Sequence, residues 1–525
     1  MATWPDAVTL AHCWVDAVER RAGDPFLVFE APDGTVTEWS YGEFDAVVAR
    51  LATELAGHGV GRGSAVHLAL TNSPTFVAAW LATVRLGGWI VPSDPMGRTP
   101  ELADHVERTD PTVGFCARDR SEVYRAAIGG RPVFEIDEAD AALAWLPDVA
   151  FTDWPEPGLH DRAAVMFTSG TTGRPKGVEI TQANYAFAGK VMAEAASLAP
   201  DDRQLVVLPL FHANAQYYSF CSAIWAGASV ALMHTFSASG FLDQARRHAA
   251  TCASLFAAPM RMILARGGPV GGVALRHCWF AQNVTTDQFD TLSEWFGCRP
   301  RQLYGMTETI PAVLTDTSAD PDPASMGSVT AGCEVDLHDA DGGPVAVGEV
   351  GEIVVRGEPG ITLFAGYLDD AATTTTSFRD GWFRTGDRAT RDGRGRFFFD
   401  GRRSDVLKVA GENVSTVEVE SVVTAHPAVL EASVVGAPDP IRDEVPVAYV
   451  VAVDPDAPPT SDDLTAWCAE RLGGAKVPRT FTILDELPRT SVGKIRKFML
   501  KESAMHDGTM HDDALRAEAM PEAAR

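Results

Sequence analysis

Short, wholly apolar runs alternate with stretches of helical period through the first half of the chain. Ala65 to Leu70 reads as a strand, the segment to about Leu86 as a helix, and Trp89 to Asp94 as a second strand. The same order returns with a strand at Gln204 to Leu210, an apolar stretch through Trp225, and a strand at Ser229 to Met233. A helical segment and a strand at Ala253 to Pro259 follow. Apolar strands separated by helices predict parallel sheets covered on both faces, with ligands at the carboxyl ends of the strands. From about Gly327 the pattern changes. Glu349 to Gly357 alternates between turn-rich flanks, which predicts antiparallel strands. After Gly395 to Ser415 comes a compact βα pattern, with strands at 431–438 and 445–453 and a helix at 462–472.

The predicted fold class is therefore α/β. A large N-terminal domain, 1–400, holds parallel and mixed sheets with covering helices and a small β-barrel-like subdomain over about 327–400. A small α+β domain spans 401–505, and 506–525 is polar without an apolar face, as a flexible tail would be. The run Phe76 to Pro92 is the most membrane-like in the chain. Arg85 and a glycine pair interrupt it, so it reads as a buried helix entering a strand.

Length adds that 525 residues exceed a single core. The formal charge of -27 argues against nucleic acid or an anionic membrane as the main partner. It also means that any anionic substrate must meet a local concentration of positive charge. The eight cysteines are scattered without a CxxC pair, the spacing of reduced thiols in a cytoplasmic protein. The opening residues lack a basic segment followed by an apolar one, so no secretory signal is expected.

Four segments carry candidate chemistry. "TSGTTGRPKG", Thr168 to Gly177, offers the hydroxyls of Ser169, Thr171 and Thr172, the bare amides of Gly170 and Gly173, and the charge of Lys176. Together these make a nest for polyphosphate oxygens. Pro175 and Gly177 break the Walker pattern. "QLYGMTET", Gln302 to Thr309, brings an aromatic (Tyr304), Gly305, Met306, a hydroxyl (Thr307) and a carboxylate (Glu308), suited to a base, a phosphate and Mg²⁺. In "DGWFRTGD" Asp387 can accept from a ribose diol, whereas Asp380 reads as a hairpin turn; "FFFDGRRSD" adds Phe399 and Arg402. "LPRTSVGKIRK" places Lys494 on a loop able to reach another domain, with Arg496 and Lys497 reading as a solvated basic tail.

In this order and spacing the four resemble the adenylate-forming superfamily over roughly residues 10 to 503. Within it the likeness is to the crotonobetaine/carnitine-CoA ligases and similar acyl-CoA ligases, through "LYGMTETI", "GRRSDVLKVAGENVSTVEVE" and "DPIRDEVPVAYV". The resemblance implies an ATP-dependent carboxylic acid–CoA ligase working through an acyl-adenylate, with ATP, Mg²⁺ and coenzyme A. The alternative is an adenylating enzyme that loads a carrier protein or releases the acyl-adenylate. Thr168 to Lys176 would hold the β- and γ-phosphates; Ala281, Gln282 and Asn283 would face adenine, and Tyr304 would pack on it. Thr307 would touch the α-phosphate, Glu308 would bind Mg²⁺, Asp387 with Arg402 would take the ribose, and Lys494 would bridge substrate carboxylate and α-phosphate. The C-terminal domain would be mobile about Ser404, where many relatives carry Asp or Lys, and Ala410, Gly411 and Glu412 would line the pantetheine tunnel. His212, Asn214, Tyr217, Asn283, Val284 and Gly305 are expected at the acyl pocket, His212 equally as a catalytic group or as a core histidine. Tyr217, Tyr218, Phe220 and Trp225 read as pocket or as core. No Asp follows Phe211, which counts against amino-acid substrates. The acid stays open between a small or medium one, quaternary-ammonium acids included, and a bulky secondary-metabolite acid. A homodimer is admitted, and an integral membrane association is not expected.

Overall fold

The computed structural model describes residues 3–168, 175–402, 405–409, 412–439, 442–489 and 495–505. By its internal contacts the chain forms two compact units. The first is Met1–Asp336, Val354–Thr385 and Asp392–Phe397, and the second is Leu337–Ile353, Gly386–Arg391 and Phe398–Arg525.

The first unit contains two sheets. In one, Trp89–Pro92, Ala65–Ala69, Val113–Ala117 and Val133–Ile136 run parallel, joined by Arg162–Thr168 next to Trp89–Pro92. Lys176–Thr181 and the short Gly366–Tyr367 close that edge in antiparallel pairing. In the other, Pro25–Glu30, Ser229–Met233, Arg203–Val206, Cys252–Phe256, His277–Ala281 and Arg301–Gly305 are parallel neighbours in that order. Val36–Ser40 flanks the first of them, and Ala312–Thr315 and Ser325–Val329 follow the last, all antiparallel. Wholly apolar strands can be buried on both faces in this way because helices cover both.

The helix Pro74–Arg85 begins at Ser73, whose hydroxyl accepts from the Phe76 amide, and every one of its residues is buried. Arg85 within it is paired to Asp45 at 2.6 Å and lies 3.7 Å from the centroid of the Trp154 ring. The membrane-like run is thus a core helix leading into Trp89–Pro92. No helix among the described residues is long and apolar enough to cross a membrane. The strand expected over Gln204 to Leu210 stops at Val206. Pro209 has no amide to give a ladder, and the chain there turns toward a π-helix, Asn214–Cys221, which continues as the α-helix Ser222–Ala226. Asp380 and Gly381 both have positive φ, 50° and 78°, in the turn between Phe378–Arg379 and Trp382–Arg391, as a hairpin turn requires.

In the second unit Val429–Asp439 and Asp443–Ala452 form a long antiparallel hairpin. The helices Thr416–Thr424 and Ser461–Ala469 cover a core of Leu407, Val414, Val419, Val434, Val450 and Leu464. Lys497 departs from the solvated-tail reading. It starts a helical run, 497–505, and its ammonium lies 2.9 Å from Glu420 and 3.8 Å from Asp405. Glu420 also accepts from the Val434 amide at 2.7 Å, and burial pushes its carboxyl pKa up, so a cation at that point is the compensation it needs. All eight cysteines are free thiols.

Candidate functional site

The loop expected to hold phosphate is framed by a hairpin. Arg162–Thr168 and Lys176–Thr181 pair with Thr168 opposite Lys176 and Phe167 opposite Gly177, so both stems of the loop stand side by side. Ser169, Gly170, Thr171, Thr172 and Gly173 lie outside the described residues. Arg108 grips the two stems at once: its guanidinium sits 4.7 Å from the Phe167 ring centroid and its Nη1 donates to the Pro175 carbonyl at 2.7 Å. His105 stacks on the same phenyl ring at 3.9 Å. Behind it Ser93 Oγ links His105 Nδ1, at 2.8 Å, to His67 Nε2, at 3.0 Å, and His67 Nδ1 meets the Tyr124 hydroxyl at 2.7 Å. Burial holds both imidazoles neutral, His67 at a pKa of about 3 and His105 at about 4.

From this hairpin the edge strand Gly366–Tyr367 pairs with Val178 and Glu179, which sets Tyr367 beside Lys176. The Lys176 ammonium is 4.7 Å from the Tyr367 ring centroid, and the Tyr367 hydroxyl donates to Glu308 Oε1 at 3.0 Å. The Glu308 carbonyl in turn accepts from the Phe364 amide, which ties the "YGMTE" turn to the strand's lead-in. Burial, and then the Glu308 charge, raises the Tyr367 phenol far above its usual pKa, so it stays a donor. A cation, a neutral phenol and a buried carboxylate from three distant stretches of chain thus stand in one line. Tyr367 has no place in the motifs read from the sequence. Its segment, "FAGYLDD", looks like a plain turn, and only the strand pairing reveals it.

The Gln302–Thr309 segment is braced from below. Gln302 Nε2 donates to the Gln282 carbonyl at 3.3 Å, to Asn283 Oδ1 at 3.1 Å and to the Pro323 carbonyl at 2.9 Å. Arg261 donates to the Asn283 carbonyl at 2.7 Å, and Gln282 takes a left-handed φ of 73°. Ala281, Gln282 and Asn283 therefore form a fixed strand end beside Tyr304, whose ring is buried in the adjacent strand. Gly305 has no room for a side chain: a Cβ would lie 2.8 Å from Ala312 Cα and 2.9 Å from the Pro311 carbonyl oxygen. The Thr309 hydroxyl accepts from the Met306 amide at 3.0 Å and closes the turn that carries Thr307.

Of the acyl-pocket candidates, Tyr217 is fully buried, with its ring against Tyr185 at 5.7 Å and its hydroxyl 3.5 Å from the Thr307 carbonyl. Phe220 is core as well, and Val284 packs in the cluster of Phe280 and Phe289. His212 is half-buried with its ring 4.4 Å from that of Phe211. The Tyr218 hydroxyl points to Gly305, 3.2 Å from where a Cβ would be. Asn214 is 5% exposed and, among the described residues, neither its amide nitrogen nor its oxygen has a hydrogen-bond partner.

In the second unit Asp387 is buried and pairs with Arg402 Nε at 2.7 Å; Phe399 lies half-buried in the strand Phe397–Arg402. Glu412 begins the strand Glu412–Ser415, with its backbone opposite Val409. Ser404, Ala410, Gly411 and Lys494 lie outside the described residues, as does the tail 506–525.

Residues 14–368 match the AMP-binding enzyme family and residues 418–494 the AMP-binding enzyme C-terminal domain. The chain is 31% identical over 520 residues to the crotonobetaine/carnitine–CoA ligase of Citrobacter koseri, covering 94% of this chain and 98% of that one. Its fold is similar to ATP-bound MatB from Rhodopseudomonas palustris, with a TM-score of 0.84 and 26% identity, covering 94% of this chain and 99% of that one. It is also similar to the o-succinylbenzoate coenzyme A synthetase MenE from Bacillus subtilis in complex with AMP, with a TM-score of 0.80 and 28% identity over 93% of this chain and 98% of that one.

Proposed function

The chain belongs to the AMP-binding enzyme family, among its AMP-forming acyl-CoA synthetases, and from that premise we propose that it joins a carboxylic acid to coenzyme A in two steps. A carboxylate oxygen of the acid attacks the α-phosphorus of ATP. The bond to the β-phosphate oxygen breaks, pyrophosphate leaves, and an acyl-adenylate remains. The thiol of coenzyme A, giving up its proton, then attacks the acyl carbon; the bond to the AMP oxygen breaks, leaving a thioester and AMP.

The observation that supports this reading best is the line of Lys176, Tyr367 and Glu308. Adenylation spreads negative charge over phosphoryl oxygens, so groups fixed in advance at that point stabilise the transition state without reorganising. Lys176, with Thr168 and the loop Ser169 to Gly173, is assigned to the departing β- and γ-phosphates. Thr307 is assigned to the α-phosphate. Tyr304, Gly305 and Met306, with Ala281, Gln282 and Asn283, are assigned to the adenine side, and Asp387, Phe399 and Arg402 to the ribose. Lys494 is assigned to the acid's carboxylate and the α-phosphate, His212 to the acyl carbon, Ala410, Gly411 and Glu412 to the pantetheine of coenzyme A, and Ser404 to a hinge. These residues also answer the anion problem of a chain with net charge -27, by gathering cations locally.

Among the described residues no group of three His, Cys, Asp or Glu side chains could hold a metal ion. A single buried carboxylate such as Glu308 nevertheless fits Mg²⁺, which takes its remaining ligands from water and substrate phosphates. When bound there, Mg²⁺ would neutralise phosphate charge.

The test is incubation with ATP, coenzyme A and a panel of carboxylic acids, with acyl-CoA and AMP read by mass spectrometry. Acid-dependent pyrophosphate exchange without acyl-CoA would move the chain to the carrier-loading or adenylate-releasing alternative. Lys494→Ala is expected to remove most pyrophosphate exchange while ATP binding, measured by calorimetry, persists.

A further inference from the structure

The proposed acyl wall holds polar groups that no described residue satisfies. The π-helix Asn214–Cys221 lies on the sheet face to which Gln204 points, since Gln204 Nε2 reaches the Tyr218 carbonyl at 3.5 Å and Ser222 Oγ at 3.3 Å. Gln204 is in register with Cys252, and Cys252 with His277. By strand alternation Ser254 and Trp279 therefore face the same way, and they are direct cross-strand partners. Leu255 and Phe280 point to the opposite face, into a separate core.

On this face Ser254 is 4% exposed and Trp279 1% exposed, and among the described residues neither Ser254 Oγ nor Trp279 Nε1 has a hydrogen-bond partner. Asn214 is the one described side chain that is buried with both its donor and its acceptor unmatched. With about 4.4 residues per turn in a π-helix, Asn214 and Tyr218 lie on one side of it, and the Tyr218 hydroxyl reaches toward Gly305. Buried polar groups are satisfied in folded proteins as a rule, and a site built around such groups rejects ligands that leave them unpaired.

Resting on the proposed ligase reading, we propose that the acid this chain activates carries an uncharged hydrogen-bonding group, such as a hydroxyl, amine or carboxamide, that docks on Asn214. Asn214 both donates and accepts, and it carries no charge. A plain aliphatic or aryl tail would leave its amide unmatched. A trimethylammonium group has no N–H to give to Asn214, and Tyr217 and Tyr218 form no aromatic cage for it. The Tyr217 and Tyr218 rings meet edge-on at 6.5 Å, and Tyr217 is spent on Tyr185. Of the acids printed in the name of the Citrobacter koseri relative, crotonobetaine has no such group, and carnitine has a hydroxyl beside its trimethylammonium group.

The experiment compares acids of matched shape, 4-hydroxybenzoate with 4-methylbenzoate, 4-hydroxybutanoate with pentanoate and glutaramate with 5-methylhexanoate, and sets carnitine and crotonobetaine beside them as the cationic acids. Two readouts are taken on the full chain, pyrophosphate release and calorimetric binding beside a non-hydrolysable ATP analogue. In at least one matched pair the polar member is expected to be favoured about tenfold or more in both, with carnitine and crotonobetaine weaker. Asn214→Leu, similar in size, is expected to abolish that preference while binding of the nucleotide analogue is unchanged. Asn214→Asp is expected to shift preference toward the cationic acids. A wild-type preference for the apolar or quaternary-ammonium members, or a ratio unmoved by Asn214→Leu, overturns the inference. Polar preference in binding without pyrophosphate release would sink the ligase reading and leave this one standing. Pyrophosphate release without polar preference would do the reverse.

Discussion

The wall proposed for the nucleotide and the wall proposed for the acid, both in the first unit, are built on opposite principles. On the nucleotide wall the side chains that frame the loops are already engaged: Gln302 makes three hydrogen bonds, Arg108 spans both stems of the phosphate hairpin, and Tyr367 joins Lys176 to Glu308. On the proposed acyl wall Asn214, Ser254 and Trp279 are buried with polar atoms unmatched among the described residues. A wall that always meets the same ligand gains from being fixed beforehand, because no reorganisation is left for the reaction itself. A wall that must choose among acids keeps its selective groups unpaired until the right one arrives. Changes on the first wall should therefore lower activity by one factor for every acid, and changes on the second should alter the ratios between acids.

Glu308→Gln is the largest break. It keeps the shape and removes the charge, and pyrophosphate release should fall on the order of 100-fold, by a common factor across acids. Tyr367→Phe keeps the ring under Lys176 and removes only the donor to Glu308, so the expected loss is smaller, about tenfold. Steady-state rates over the matched acids check both. A loss confined to one class of acid would place these residues on the acyl wall instead.

How much of each wall could be read from the sequence follows from the same difference. Phosphate binding needs hydroxyls, bare amides and a cation at consecutive positions, so Thr168 to Lys176 and Tyr304 to Glu308 were visible as motifs. Tyr367 was not, because its partners are set by the pairing of Gly366 and Tyr367 with Glu179 and Val178, far away in the chain. The acyl wall was least visible. Asn214 was named only through the resemblance, and a π-helix has no apolar period that separates it from an α-helix in so short a segment. Pro209 was the available signal that the strand expected to Leu210 ends early, and Lys497 could not be paired with Glu420 before the C-terminal unit was folded.

A subtler change tests the bracing of the nucleotide wall. Gln302→Leu keeps the volume but leaves the Gln282 and Pro323 carbonyls without their shared donor. The strand end at Ala281 to Asn283 loses its anchor, so the KM for ATP should rise several-fold with kcat little changed. Ratios between acids should stay as they are. A change in those ratios would mean that the two walls share a support at Gln302.

The smallest effect concerns what lies behind the phosphate hairpin. His105, stacked on Phe167, and His67 are held neutral by burial, at pKa values of about 4 and about 3 against an ordinary 6.5. Above about pH 6.5 both folded and unfolded chains carry these rings neutral, so stability does not depend on them. Below it the unfolded chain takes up protons that the folded chain refuses. Stability should therefore fall by about 1 kcal/mol per pH unit for each ring, from about pH 6.5 down to about pH 4. Urea unfolding of the full chain between pH 7 and pH 5 measures this, and His105→Asn, which offers an amide in place of Nδ1 to Ser93, should remove one ring's share of the slope. Because the folded chain keeps both rings neutral down to about pH 4, these rings should leave ATP affinity and the ratios between acids unchanged over that interval. His105→Asn, made against a stem of the proposed phosphate loop, should shift ATP affinity and leave those ratios as they are. If the ratios moved instead and ATP affinity held, the imidazoles would be serving the acyl wall, and the contrast between the two walls would fail at its foundation.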